Sequence, residues 1–109
     1  MNQEFSSFKL KPEEIRKLIS GMGYCYASRR ITAEGMKVGY MYREIPDSPT
    51  DSGWRFFSGI ETQEEVDNPN NIGIYDVNTI VNYDASILPY LNTEPGTFLE
   101  RMEYAFKVV

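Results

Sequence analysis

Residues 37–43 constrain the fold more than any other stretch. Val38, Tyr40 and Tyr42 alternate with Lys37, Met41 and Arg43, the period-two spacing of a strand with two unlike faces. Residues 45–53 follow, carrying Pro46, Asp47, Ser48, Pro49, Asp51, Ser52 and Gly53, all turn formers, and this predicts an exposed loop. Residues 54–58, Trp-Arg-Phe-Phe-Ser, predict a second strand that pairs antiparallel with the first across that loop. Residues 24–28 predict another strand, with Tyr24 and Tyr26 on one face and Cys25 and Ala27 on the other. With eight Tyr, six Phe and one Trp, aromatic strands carry much of the core.

Helical signals are weaker. Pro12, followed by Glu13 and Glu14, opens an expected amphipathic helix with Ile15, Leu18, Ile19 and Met22 on one face, and Gly21 and Gly23 stop it. Residues 1–11 before it are expected to be loosely docked. Residues 29–35 read as a connection. Thr62 is placed to cap a turn containing Glu65 and Val66. Residues 72–77 fit a strand, although Ile74, Val77, Ile80 and Val81 also fit a helical face; a strand giving way to a helical or irregular turn reconciles them. Asp84 is placed to cap a short helix with Ile87 and Leu88 inward, disturbed by Pro89, and residues 97–109 return as a final strand or hairpin. A chain of 109 residues forms one domain, expected to be α+β: an antiparallel β-sheet meander with an N-terminal amphipathic helix and one or two short helices.

The chemistry available is narrow. There is no histidine, the commonest general base and zinc ligand, so the chain reads as a non-enzyme with no catalytic residues, metal or cofactor. Calcium loops fail at both places that suggest them. Pro49 and Pro69 stand at the third ligand position, and Ser58 and Asn78 stand where the bidentate Glu belongs. Cys25, the single cysteine, reads as a buried, inert thiol. Arg29-Arg30, Glu13-Glu14 and Glu64-Glu65 read as solvated pairs. No apolar run spans a membrane and the first residues lack a signal-peptide pattern, so a cytoplasmic location is expected.

Charge is distributed unevenly. Residues 1–43 hold four acids against eight Lys or Arg, whereas residues 44–94 hold ten acids against Arg55 alone. Such an acidic half disfavours nucleic acid and anionic membrane and attracts a basic partner.

Several blocks together carry a family likeness. They are residues 25–32 (CYASRRIT), 34–44 (EGMKVGYMYRE), 52–59 (SGWRFFSG), Asn68-Pro69, residues 71–80 (NIGIYDVNTI) and Pro89-Tyr90-Leu91. In this order they resemble the thirty-third bacterial immunity-protein family, first catalogued as a domain of unknown function, across residues 24–91. The resemblance implies an α+β protein associated with polymorphic toxin systems, which binds and neutralises a cognate toxin and brings no catalytic residues. The acidic half then suits a basic, nuclease-like toxin. Its candidate surface is the 44–54 loop and the 67–76 stretch, with Glu44, Asp47, Asp51, Trp54, Arg55, Asp67, Tyr75 and Asp76 as contacts. Two other readings remain: a non-enzymatic adaptor or regulatory module, and a small-molecule binder using the sheet face of Tyr24, Tyr26, Tyr40 and Tyr42 with Trp54. Self-association through the aromatic strands also stays open.

Overall fold

The computed structural model describes residues 8–109, and its elements follow the punctuation of the sequence. Strand β1 (Tyr24–Ser28) runs directly into a one-turn helix α1 (Arg29–Thr32), where Ser28 Oγ caps the turn by accepting the Arg30 N–H at 3.1 Å. Strands β2 (Tyr40–Arg43) and β3 (Asp51–Phe57) flank the proline-containing loop. Helix α2 (Gln63–Asp67) starts at Thr62, whose hydroxyl accepts the Glu65 N–H at 3.1 Å. Strand β4 (Ile72–Asp76) passes straight into helix α3 (Val77–Tyr83), capped by the Asp76 side chain, so strand and helix divide the segment that fitted both. Strands β5 (Phe98–Arg101) and β6 (Phe106–Val108) close the chain as a hairpin.

The six strands form one sheet in the order β4-β1-β3-β2-β5-β6. The expected hairpin of β2 and β3 is present, with Tyr40 opposite Phe57 and Tyr42 opposite Arg55. The expected meander is not. β1 lies parallel to β3, while every other pairing is antiparallel, and β4 crosses over to pair with the far side of β1. Parallel neighbours need a long crossover rather than a tight turn. The chain supplies one, because α1, the irregular residues 33–39, β2 and the loop all lie between β1 and β3.

One face of the sheet carries the core. Cys25 and Ala27 of β1, Met41 of β2, Trp54 and Phe56 of β3 and Leu99 of β5 pack there against Ile31, Val38, Val77, Ile80, Val81, Ile87 and Leu91. Trp54 is fully buried, stacks on Phe56 with centroids 5.7 Å apart, and donates its indole N–H to the Leu91 carbonyl at 3.0 Å. Arg43 lies over the Trp54 ring at 5.7 Å and donates to the carbonyls of Ser52, Leu91 and Thr93, tying the loop after residue 90 to the sheet.

The N-terminal segment departs from the expected helix. Only Pro12–Glu14 turns, as a 3-10 helix, and residues 15–23 run on without helix. Two asparagines one turn apart on α3 hold the backbone in this form. Asn78 accepts the N–H groups of Leu18 and Ile19 at 2.8 and 3.1 Å and donates to the Arg16 carbonyl at 2.8 Å. Asn82 accepts the Arg16 N–H at 2.9 Å and donates to the same carbonyl. A short isolated helix gains little by itself, and these bonds satisfy its backbone groups instead. Residues 1–7 lie outside the described residues; in the described part of the 1–11 stretch, Lys9 N–H donates to the Thr32 carbonyl and Leu10 N–H to the Tyr83 hydroxyl.

Three smaller differences have local causes. Val38 sits in the core rather than beside Tyr40 and Tyr42, because β2 begins only after Gly39 and the Asp84 carboxylate takes the Val38 N–H at 3.0 Å. Leu88 is exposed; Ala85–Tyr90 is a 3-10 helix, whose threefold repeat turns Ile87 and Tyr90 to the same side. Residues 51–53 belong to β3 and are buried rather than looped out.

Candidate functional site

Strand alternation sends the remaining side chains to the opposite face of the sheet. Tyr24 and Tyr26 from β1, Arg55 and Phe57 from β3, Tyr40 and Tyr42 from β2 and Phe98 from β5 all project there. The four tyrosines do pave one face, as their spacing predicts. Tyr42 stacks between Phe57 and Phe98, at centroid distances of 6.1 and 5.3 Å, and Tyr40 leans on Tyr42 at 5.8 Å. Among the described residues, the helical core side chains Ile31, Val77, Ile80, Val81 and Ile87 all belong with Trp54 and Phe56 on the opposite side.

At one end the residue 44–50 loop closes over this face around a charged cluster. Arg55, only 4% exposed in its side chain, donates both Nη atoms to Asp51 at 3.0 and 2.9 Å and its Nε to Glu44 at 2.9 Å. Its guanidinium also lies 4.4 Å from the centre of the Tyr26 ring, a cation–π contact. Asp47 stands 3.8 Å away and is largely exposed. Asp51 additionally accepts the N–H groups of Asp47 and Gly53, so it shapes the loop that covers it. Hydrogen bonds from Arg55 outweigh the cost of burial and hold the Asp51 carboxyl well below the usual carboxylate range. Burial by itself would lower the Arg55 pKa, but Asp51 and Glu44 reverse this and raise it. Gly53 is required by the same packing: its φ is +87°, and a Cβ there would overlap the Glu44 carbonyl.

On the same face a groove of about 380 Å³ is lined by Tyr40, Tyr42 and Phe57, with Gly59, Glu61 and Val66 from the segment after β3 and Glu100 from β5, the strand on the other side of β2. Glu61 is fixed by the Ser58 N–H at 2.9 Å, the Ser58 hydroxyl at 2.8 Å and the Gly59 N–H at 3.0 Å. Burial would raise its pKa, yet these bonds and one from Ser28 lower it. Helix α2 is held against α1 by Arg30, which grips Glu65 through Nε and Nη2 at 2.7 and 3.0 Å and reaches Glu34 at 3.3 Å. Arg30 is thus engaged within the fold rather than solvated alone.

The eight residues singled out from sequence are divided by these positions. Glu44, Asp47, Asp67 and Asp76 are exposed. Asp51 and Arg55 are buried with each other, and Trp54 lies on the core face, away from the tyrosines; none of the three is available as a surface contact. Tyr75 is half-buried on the core side, where its hydroxyl meets Thr32 Oγ1 at 3.0 Å. Glu61, Glu100 and Phe98 went unselected. Alternation marks Phe98 and Glu100 as sharing a side, but only the register Tyr40–Glu100 and Tyr42–Phe98 brings them beside the tyrosines. Cys25 is fully buried, and burial, reinforced by the charge of Asp76, pushes its thiol pKa far up, so it is a packing residue. Among the described residues no helix is long and apolar enough to cross a membrane.

The chain belongs to the Imm33 immunity-protein family: the model of the immunity protein Imm33 domain matches residues 25–107. The match takes in every strand, from β1 through most of β6, and with them both the Arg55 cluster and the groove. No curated protein and no solved structure matches the chain.

Proposed function

We propose that this protein binds and neutralises a cognate toxin of a polymorphic toxin system in the cytoplasm, by covering it rather than by chemistry. Family membership is the observation that carries this reading. The arrangement of the open sheet face supports it. Exposed Glu44 and Asp47 stand beside a sheet face rich in Tyr and Phe, the residue mixture from which interface anchors and charged rims are made. The acids of residues 44–94 suit a basic toxin, nuclease-like in charge, whose approach they accelerate. Within the residues first singled out, Glu44, Asp47, Asp67 and Asp76 are the proposed partner contacts, and Asp51 and Arg55 act by holding the loop that presents Glu44 and Asp47.

The test is capture of the tagged protein from the cells that make it, followed by expression of the recovered partner's domains. A partner domain that arrests growth, and ceases to do so when this chain is co-expressed, is the expected result. A retained partner without toxicity would instead favour an adaptor role.

A further inference from the structure

The Arg55 cluster shows how this sheet face holds a guanidinium. A tyrosine ring lies against the flat side of the cation and carboxylates meet its edges, Asp51 in two-pronged fashion. Beside it, centred on the neighbouring strand β2, the groove repeats the parts without the cation, and its Tyr42 lies directly opposite Arg55. Tyr40 presents a ring, tilted rather than stacked on its neighbours, and Tyr42, its faces covered by Phe57 and Phe98, lines the groove beside it; neither hydroxyl makes a hydrogen bond among the described residues. Glu61 and Glu100 line it from the segment after β3 and from β5. Glu61 is held in place by bonds from residues 28, 58 and 59, which favour its ionised form. Neither carboxylate has an ion-pair partner among the described residues. Arg30 is engaged by Glu65 and Glu34, and Lys107, opposite Glu100 in the sheet, does not reach it. The volume of about 380 Å³ lies at the small end of the roughly 300–1,000 Å³ typical of ligand sites, suited to one long side chain.

We infer that the groove between Tyr40, Tyr42, Glu61 and Glu100 receives an arginine side chain presented by the partner protein. This rests on the toxin-binding reading for the partner's identity and not for the groove's chemistry. Charge complementarity selects the cation, and the Tyr40 ring selects arginine over lysine, because a planar guanidinium stacks on a ring while still meeting carboxylates at its edges. The site lies within the segment matched to the family, on the same face as the Arg55 cluster and beside it.

The groove is tested apart from any toxin by following aromatic and backbone NMR signals of the full chain during titration with the capped tripeptide Gly-Arg-Gly. Its lysine and citrulline counterparts serve as controls. The expected result is saturable change at Tyr40, Tyr42, Phe57 and Glu100 with the arginine peptide, weaker change with lysine and none with citrulline. Glu100→Gln, an exposed substitution that should leave the fold intact, then weakens binding about ten-fold. No saturable change, equal change with citrulline, or change centred on Asp47 or Asp76 overturns the inference. So does concentration-dependent broadening of the groove signals without peptide, which assigns the face to a second copy of this chain. Arginine binding with no toxin neutralised would remove the function and leave the groove. Neutralisation undisturbed by Glu100→Gln and Tyr42→Ala would remove the groove and leave the function.

Discussion

The two faces of the sheet are built from alternate residues of the same strands, yet they solve different problems. On the core face, Trp54, Phe56, Met41 and Leu99 are almost wholly removed from water and meet α3 and the following turn. On the other face, Tyr24, Tyr26, Tyr40 and Tyr42 remain only half-buried, and a charged cluster stands where a second layer would have been. Strand β3 shows the contrast within neighbouring residues: Trp54 anchors the core, while Arg55 points the other way and organises the loop. The apolar core is therefore concentrated on one face.

The comparison can be broken by substitutions that cross its terms. Trp54→Ala empties the largest core position and should cost about 3–5 kcal/mol in denaturant unfolding. Whatever fraction remains folded should bind the partner normally; selective loss of binding in that fraction would give Trp54 the interface role its burial denies it. Asp51→Ala leaves a buried guanidinium with Glu44 as its close remaining partner and should cost about 3 kcal/mol, toward the low end for one partner of a buried pair because Glu44 stays. A neutral outcome would mean that the loop and the open face do not depend on the cluster.

Acid sharpens the same point. The folded-state pKa of Asp51 is depressed, so its contribution is present above the unfolded value of about 3.9 and is lost as pH falls below it. Between about pH 4 and 2 the wild type should lose stability more steeply than Asp51→Asn, by at most about 1.4 kcal/mol per pH unit. Parallel acid denaturation curves would contradict this. The smallest effect on folding belongs to Asp47→Lys combined with Asp67→Lys. Both positions are exposed, so the denaturation midpoint should stay put, while association with a basic partner slows several-fold at low salt and loses salt dependence. Reversing Asp51 as well would confuse the result, since that carboxylate holds Arg55.

Much of this was legible from spacing. The alternation of Tyr40, Met41 and Tyr42, the caps at Thr62 and Asp84 and the closing hairpin depend on neighbours in sequence, and the chain follows them. The order of strands does not depend on neighbours. Nothing within residues 24–28 says that they pair in parallel with β3, and the crossover shows only in three dimensions. The N-terminal helix failed because its competitor is remote: Asn78 and Asn82 bind backbone some 60 residues away in sequence. The candidate contacts were half legible for the same reason. Composition marked residues 45–53 as loop, but Asp51 is drawn into the sheet by Arg55, which a count of turn formers does not register. The groove joins residue 40 to residues 61 and 100, and no sequence window contains all three.

Neutralisation of a toxin through the open face of the sheet is what we propose for this chain. Its most direct test is a growth assay in cells producing the captured toxic domain together with the wild type, a core variant such as Ile80→Val, or the open-face variant Tyr42→Ala with Glu100→Lys. The account predicts rescue by the wild type and by the core variant, and failure of the open-face variant at equal abundance and with its fold intact. Equal rescue by all three, or loss of rescue only in the core variant, would contradict it.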